Sequence, residues 1–357
     1  MFHGARILVA PLDWGLGHST RCIPIIRRLL DHGATPIIGA DAAPLALLQK
    51  EFPDLEHVRI PGVNVRYSKG NSQLWSMARQ FPEMVRIVRS ERAAFDRIRM
   101  ERQLDAVISD QRFGLRSPDL PSVLITHQVF PFTPIAQGAL RRVNLHHMAR
   151  FDRCWIMDEP AAPGLAGELS HGRNVPSNAR YIGTISRMTP GSGSSIPQRY
   201  RIVAVISGPE PQRSMLDAAL TEQLQRIPGH HLLVRGLPKE SAVQRHERLT
   251  CLPHTNSAEL SSFLYNAELV VSRSGYTTLM DLAALGKSAL IIPTPGQAEQ
   301  EYLGRLHART GRFLVQSQDR LDVARALAAI GGRSVPTPTT GHPALEQALE
   351  DMAAMLR

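Results

Sequence analysis

The chain has 357 residues, more than one ordinary domain holds and suited to two of roughly 150–200 each. Hydrophobic residues at 43% with 20% charged exclude disordered and fibrous classes, and three widely separated cysteines, Cys22, Cys154 and Cys251, suggest neither a metal knuckle nor a disulfide framework. The net charge of +9 invites a nucleic-acid reading, but the basic residues are almost all scattered arginines without interleaved aromatic platforms, so nucleic acid is not expected and an acidic partner such as a nucleotide diphosphate or a membrane surface stays open. In chain order, "ARILVAPL" comes first, with Arg6 directly before its apolar run, and reads as a strand and not a signal peptide. A helix is expected from Ser19 to Asp31, then the strand "ATPIIGA", an arginine-rich helix over Ser76 to Arg102, and the strands "LDAVISD", "PSVLITH", "RCWIMD" and "RYIGTISR". "MTPGSGSSIPQ" is the best linker candidate.

A second alternating series follows: the strand "RYRIVAVISG", the helix "SMLDAALTEQLQRI", the strands "HHLLVRG" and "RLTCL", and a helix at Ser257 to Asn266. Next come "ELVVSR", a helix from Thr277 to Leu285, "SALIIP", and helices at Glu299 to Thr310 and Leu321 to Ile330. A last helix carries Leu345, Leu349, Met352 and Leu356 on one face. Alternation of this kind predicts α/β architecture with parallel sheets. The expected division is residues 1–187, a linker at 188–198, a second domain at 199–335, and a helix at 342–357 packing back on the first domain. Ligands of such folds bind where the strands end, in the cleft between the domains. No stretch approaches the roughly 20 apolar residues of a spanning helix, so a cytoplasmic protein is expected.

Two places carry chemistry. In "PLDWGLGHSTRC", Gly15 and Gly17 let backbone approach a ligand at a helix start, and His18 follows them. A dinucleotide fingerprint wants a third glycine where Thr20 stands, although Asp41 could mimic its ribose-binding acid. The loop is either functional or a tight turn in which His18 caps the helix. In "AELVVSRSGYTTLMDLAALGKSALIIPTPGQAEQEYLG", Ser274 and Gly275 would present N–H groups to a phosphate, with Arg273 beside them. Asp281 lies about two turns further on and could accept from ribose hydroxyls, while Gln300 and Glu301 open the next helix. Ser207-Gly208 forms a second polar turn after the first strand of that half.

Taken together, these residues resemble the family 28 glycosyltransferases, the MurG-type enzymes that move N-acetylglucosamine from UDP onto a lipid-linked acceptor. The likeness is strongest from Ala267 to Tyr302 and weaker over most of the chain; "ITHQ", with His127 and Gln128, resembles its acceptor side, where Gly15 and Gly17 also fall. The resemblance implies a GT-B fold: two Rossmann-like domains with parallel sheets facing across a cleft. It implies that Ser207, Gly208, Ser274 and Gly275 face the donor diphosphate, with Arg187 approaching from the linker. Asp281 stands where the family has a glutamate on the ribose. Gln300 matches one of two glutamines that hold the sugar, and Glu301 replaces the other. Base recognition falls at His254 to Ser257, Asn256 included, where "PHTNS" departs from the family's apolar pattern.

The function expected is an inverting, metal-independent glycosyltransferase. It would move a hexose or N-acetylhexosamine from a nucleotide diphosphate sugar, UDP first among them, to a small or lipid-linked acceptor. Inversion needs a base, for which His18 and Asp13 are the candidates. No Asp-x-Asp metal clamp is present, and no cofactor beyond the donor is expected. The arginine-rich helix places Phe81, Val85 and Val88 near one face; it either packs on its own sheet or lies against anionic lipid as a peripheral contact. The rival readings are a nucleotide-sugar 2-epimerase and a non-catalytic nucleotide-sugar-binding protein.

Overall fold

The structure is a computed structural model describing residues 1–13, 15–61, 73–132, 137–190, 200–331 and 343–356, with the backbone alone over 73–85. The side chains of Phe81 and Val85 and most of the expected linker therefore lie outside the described residues. The chain divides into two units, Met1–Ile185 with His342–Arg357, and Ser186–Gly341.

In the first unit, β1 (Arg6–Ala10), α1 (Leu16–Asp31), β2 (Thr35–Ala40), α2 (Ala42–Glu51), β3 (His57–Arg59), α3 (Gln73–Glu101) and β4 (Ala106–Asp110) lead into β5 (Ser122–Thr126), α4 (Gln137–Met148), β6 (Arg153–Ile156) and β7 (Ala179–Tyr181). The strands form one parallel sheet in the order β3-β2-β1-β4-β5-β6-β7. Central strands such as β4 and β5 are buried at every position, as expected where helices cover both faces and the sequence reads as an unbroken apolar run. Leu8, Ile37 and Val107 pack against Phe95 and Ile98 of α3; Leu124, Cys154 and Ile156 pack against Met148 of α4.

In the second unit, β8 (Ile202–Val205), α5 (Gln212–Arg226), β9 (His231–Val234), β10 (Gln244–Arg245), β11 (Leu249–Leu252), α6 (Ser257–Asn266) and β12 (Leu269–Ser272) precede α7 (Tyr276–Ala284), β13 (Ala289–Ile291), α8 (Ala298–Arg309), β14 (Leu314–Val315) and α9 (Val323–Ile330). Its sheet runs β10-β11-β9-β8-β12-β13-β14, parallel except for β10. Leu216, Leu220 and Leu224 form one stripe of α5 and join Val323, Leu327 and Ile330 of α9 over Ile202, Leu233, Leu269 and Leu290. Fully burying each such leucine contributes about 1.5–3 kcal/mol.

The last helix, α10 (Pro343–Ala354), belongs to the first unit. Leu345, Leu349 and Met352 are fully buried. Glu346 pairs with His32 at 2.6 Å and Arg28 at 3.2 Å, and Asp351 pairs with Arg153. No described helix is long and apolar enough to cross a membrane.

In both sheets the strand order reverses beside the first strand, between β1 and β4 and between β8 and β12. Such a reversal parts the flanking connections and opens a crevice at the carboxyl ends of the strands. Both chemical stretches of the sequence run into these crevices.

Candidate active site

The first crevice is built on β1, β4 and β5. Gly15 adopts φ +104°, a region closed to most L-residues, and a Cβ there would meet nothing within 4 Å. This turn starts α1 at Leu16, three residues earlier than expected, so His18 sits inside the first helical turn. It does not cap the helix; its Nδ1 lies 3.0 Å from Oδ2 of Asp110, the last residue of β4. Arg21, one turn after His18 on the same face, donates from Nε to Asp110 Oδ2 at 2.8 Å and from Nη2 to Oδ1. Its Nη1 lies 2.8 Å from Nδ1 of His127, directly after β5, and its Nη2 lies 2.8 Å from Nδ1 of His18.

Asp110 is wholly buried and Arg21 nearly so, while the His18 side chain keeps 17% of its surface. Burial alone would raise the Asp110 pKa, but the charges of Arg21 and His18 and their hydrogen bonds outweigh it and hold the carboxyl at about 2. Burial, then the Arg21 charge, lower the pKa of His18 despite Asp110, so the ring is neutral near pH 7. A neutral imidazole hydrogen-bonded to an ionised carboxylate can act as a general base.

Asp13, on the same connection, belongs to a second group. Its Oδ1 accepts from the Asp41 N–H at 3.3 Å and its Oδ2 lies 3.4 Å from Arg112 Nη1. Arg112 is tied more closely to Glu91, at 2.9 Å. Burial, opposed by Arg112 and helped by Asp41 and Glu91, raises the Asp13 pKa to about 6. Asp41 itself caps α2 and pairs with Arg59.

The second crevice is lined by two glycine turns. Gly208 follows β8 with φ +116°, and Gly275 forms the N-cap of α7 after β12. A Cβ on either would meet nothing within 4 Å. Ser274 donates to the Gln300 carbonyl at 2.9 Å; Gln300 Oε1 accepts from the N–H and the hydroxyl of Thr294, and Glu301 accepts from the Gly296 N–H. These bonds tie the start of α8 to the α7 turn. Asp281 accepts from Ser186 Oγ at 2.6 Å, and burial raises its pKa against Arg187 and that hydrogen bond. Arg187 donates to Ser257 Oγ at 3.2 Å, beside Asn256, which caps α6.

A sequence profile described as "Glycosyltransferase family 28 C-terminal domain" matches residues 221–325. The match lies within the second unit. The chain is 28% identical over 172 residues to the UDP-N-acetylglucosamine--N-acetylmuramyl-(pentapeptide) pyrophosphoryl-undecaprenol N-acetylglucosamine transferase of Rhodopseudomonas palustris, covering 45% of this chain and 46% of that protein. The protein of the same name from Methylobacterium radiotolerans is 24% identical over 273 residues, 68% of this chain and 73% of the relative. The chain spans about half the length of the Rhodopseudomonas relatives it matches. Among solved structures, the glycosyltransferase SnogD from Streptomyces nogalater superposes with a TM-score of 0.63 at 16% identity, over 99% of this chain and 96% of that one. The resemblance to family 28 and the α/β GT-B fold class expected from the sequence are both borne out.

In the first unit the structure gathers His18 and His127 in one cluster, with Gln128 beside His127 and Gly15 and Gly17 at the turn and the start of α1. Asp13 lies on the same connection but in the Arg112 group. In the second unit, Ser274, Gln300 and Glu301 are linked, as are Arg187, Asp281 and the start of α6. Arg273 is 1% exposed and donates to the carbonyls of Gln212, Ile292 and Pro293 and to the Gln318 side chain; burial lowers its pKa to about 10. Its contacts brace the unit from within. Sequence reasoning missed Asp110 and Arg21. Their only signals were an acid closing the apolar run "AVISD" and an arginine three residues after His18.

Proposed function

We propose that the protein is an inverting glycosyltransferase that takes a hexose or N-acetylhexosamine from a nucleotide diphosphate sugar, with UDP as the carrier. The observation that carries this reading is the pair of open glycine turns at Gly208 and Gly275, at the strand-order reversal of the unit that matches the family 28 profile. Backbone beside open space at the start of α7 offers N–H groups and the positive end of a helix dipole to a diphosphate. The same elements serve the departing diphosphate, with Arg187 as the nearby cation and no obligatory metal. Asp281 takes the ribose, Gln300 and Glu301 the sugar hydroxyls, and the segment at Asn256 the base.

On the first unit, His18 backed by Asp110 removes the proton from the attacking acceptor hydroxyl. His127, Gln128, Gly15 and Gly17 form the acceptor side. The two curated relatives are named for transfer to a pyrophosphoryl-undecaprenol acceptor, which supports a lipid-linked acceptor here and, with it, a cytoplasmic enzyme in peripheral contact with the membrane.

Calorimetric titration with UDP, UDP-N-acetylglucosamine, UDP-glucose, GDP-mannose and NADH tests the donor side, comparing wild type with Asp281→Ala. Binding of a UDP compound that Asp281→Ala weakens at least tenfold supports the reading. Binding of NADH alone overturns it. Acceptor-dependent UDP release unaffected by EDTA identifies transfer without an obligatory metal, whereas epimerised donor without acceptor would mark an isomerase.

A further inference from the structure

Arg273 takes no part in the donor contacts above, yet it stands immediately before the Ser274-Gly275 turn with its side chain almost wholly enclosed. We infer that Arg273 is a positioning residue for the donor diphosphate that acts on the phosphates without touching them: its enclosed charge, fastened to the connections after β8 and β13, takes the ligand's phosphates as its counter-charge. This inference rests on the donor reading proposed above.

Its hydrogen bonds run to neutral oxygens. Nη2 donates to the Gln212 carbonyl at 2.8 Å and to Gln318 Oε1 at 2.7 Å, and Nη1 to the carbonyls of Ile292 and Pro293 at 3.4 Å. Nε is buried without a partner. No carboxylate among the described residues pairs with the guanidinium, and burial brings its pKa down to about 10, which leaves it charged at neutral pH. A buried charge without a counter-charge is costly, and such exceptions belong at functional sites. The fork's position shows what gains from it. Gln212 opens α5 four residues after Gly208, Ile292 and Pro293 lead to Thr294, which holds Gln300, and Arg273 itself runs into the N-cap of α7. One guanidinium thus ties together the connections at which diphosphate and sugar are expected. Neither α5 nor α7 carries a side-chain cap or an acid in its first turn, so both helix ends add to the positive potential. Glu210, just before α5, is exposed and paired with Arg213. An enclosed charge is less screened than a surface arginine, and one held by its surroundings need not reorganise when the ligand arrives. A phosphate at the open glycine turns supplies the anion this arrangement lacks, and an uncharged nucleoside does not.

The test is calorimetric titration of the full chain, as wild type, Arg273→Gln and Arg273→Lys, with uridine, UMP, UDP and inorganic pyrophosphate. Arg273→Gln keeps a donor and loses the charge, whereas Arg273→Lys keeps the charge and loses the fork. Arg273→Gln should weaken UDP about tenfold or more and UMP by less, with uridine held within about twofold of wild type. Arg273→Lys should hold UDP within about threefold. Uridine and UDP weakened alike in Arg273→Gln, UDP unchanged there, or Arg273→Lys as weak as Arg273→Gln would show that the residue only braces the loops, and overturns the inference. Should Arg273→Gln not fold, Arg273→Lys decides: UDP held supports the inference, and UDP falling in step with uridine overturns it. Failure of the donor reading shows separately, as wild type that binds neither uridine nor UDP. Pyrophosphate then judges the charge by the same comparison, and its failure to bind wild type overturns the inference too.

Discussion

Asp110→Asn isolates the charge at the centre of the first crevice. A carboxyl whose pKa falls from 3.8 to about 2 on folding contributes about 2.5 kcal/mol to stability at neutral pH, at 1.36 kcal/mol per unit. The substitution also leaves Arg21, 1% exposed, without its counter-charge, and breaking a buried pair typically costs about 3–5 kcal/mol. The first unit should therefore lose about 3 kcal/mol at pH 7, lowering its urea midpoint by about 1 M or more. All three tryptophans, Trp14, Trp75 and Trp155, lie in that unit, so their fluorescence in urea follows it selectively. Because the folded pKa is depressed, the contribution is present above about pH 4 and lost as pH falls through 2. The gap between wild type and variant should be full at pH 5 and begin to close below pH 4. A gap under 1 kcal/mol at pH 7, or one that stays constant down to pH 3, would refute the buried-pair reasoning.

His18→Ala should lower turnover about a hundredfold or more while calorimetry finds donor binding to the second unit unchanged; a small loss of rate would move the base role to Asp13. For Asp13 the sign is opposite to Asp110: its raised pKa gives stability that is present below pH 4 and lost as pH rises through about 6. Urea midpoints of Asp13→Asn should lack that decline. Gly275→Asp should separate stability from binding, since φ −70° and open space accept the side chain. The new carboxylate should stabilise the start of α7 by up to about 1 kcal/mol and weaken nucleotide diphosphate binding at least tenfold, read by thermal unfolding and calorimetry.

The central strands were legible because a strand buried on both faces needs an unbroken apolar run, as in Ile7–Ala10 and Val123–Ile125. β3, β10 and β14 were not, being two or three residues long at or near sheet edges where no such run is required. The Gly15 turn and His18 stood out for a local reason, a glycine pair between strand and helix. Asp110 did not, because its link to His18 spans 92 residues and exists only once the sheet order sets β4 beside β1. Arg273 misled for a related reason. Next to Ser-Gly it looks like a surface or phosphate-binding cation, and only the packed unit shows it enclosed by carbonyls.

The position of α10 imposes an order on biosynthesis. The first sheet and α1 are translated before the helix that covers them, with all of the second unit in between. Nascent chains stalled before Pro343 should therefore hold a nearly complete first sheet with the seat of Leu345, Leu349 and Met352 bare, a state that invites chaperone capture and protease attack. Lengthening them past Ala354 should bring protease resistance in one step, so maturation of the first unit is timed by a helix translated after the whole of the second.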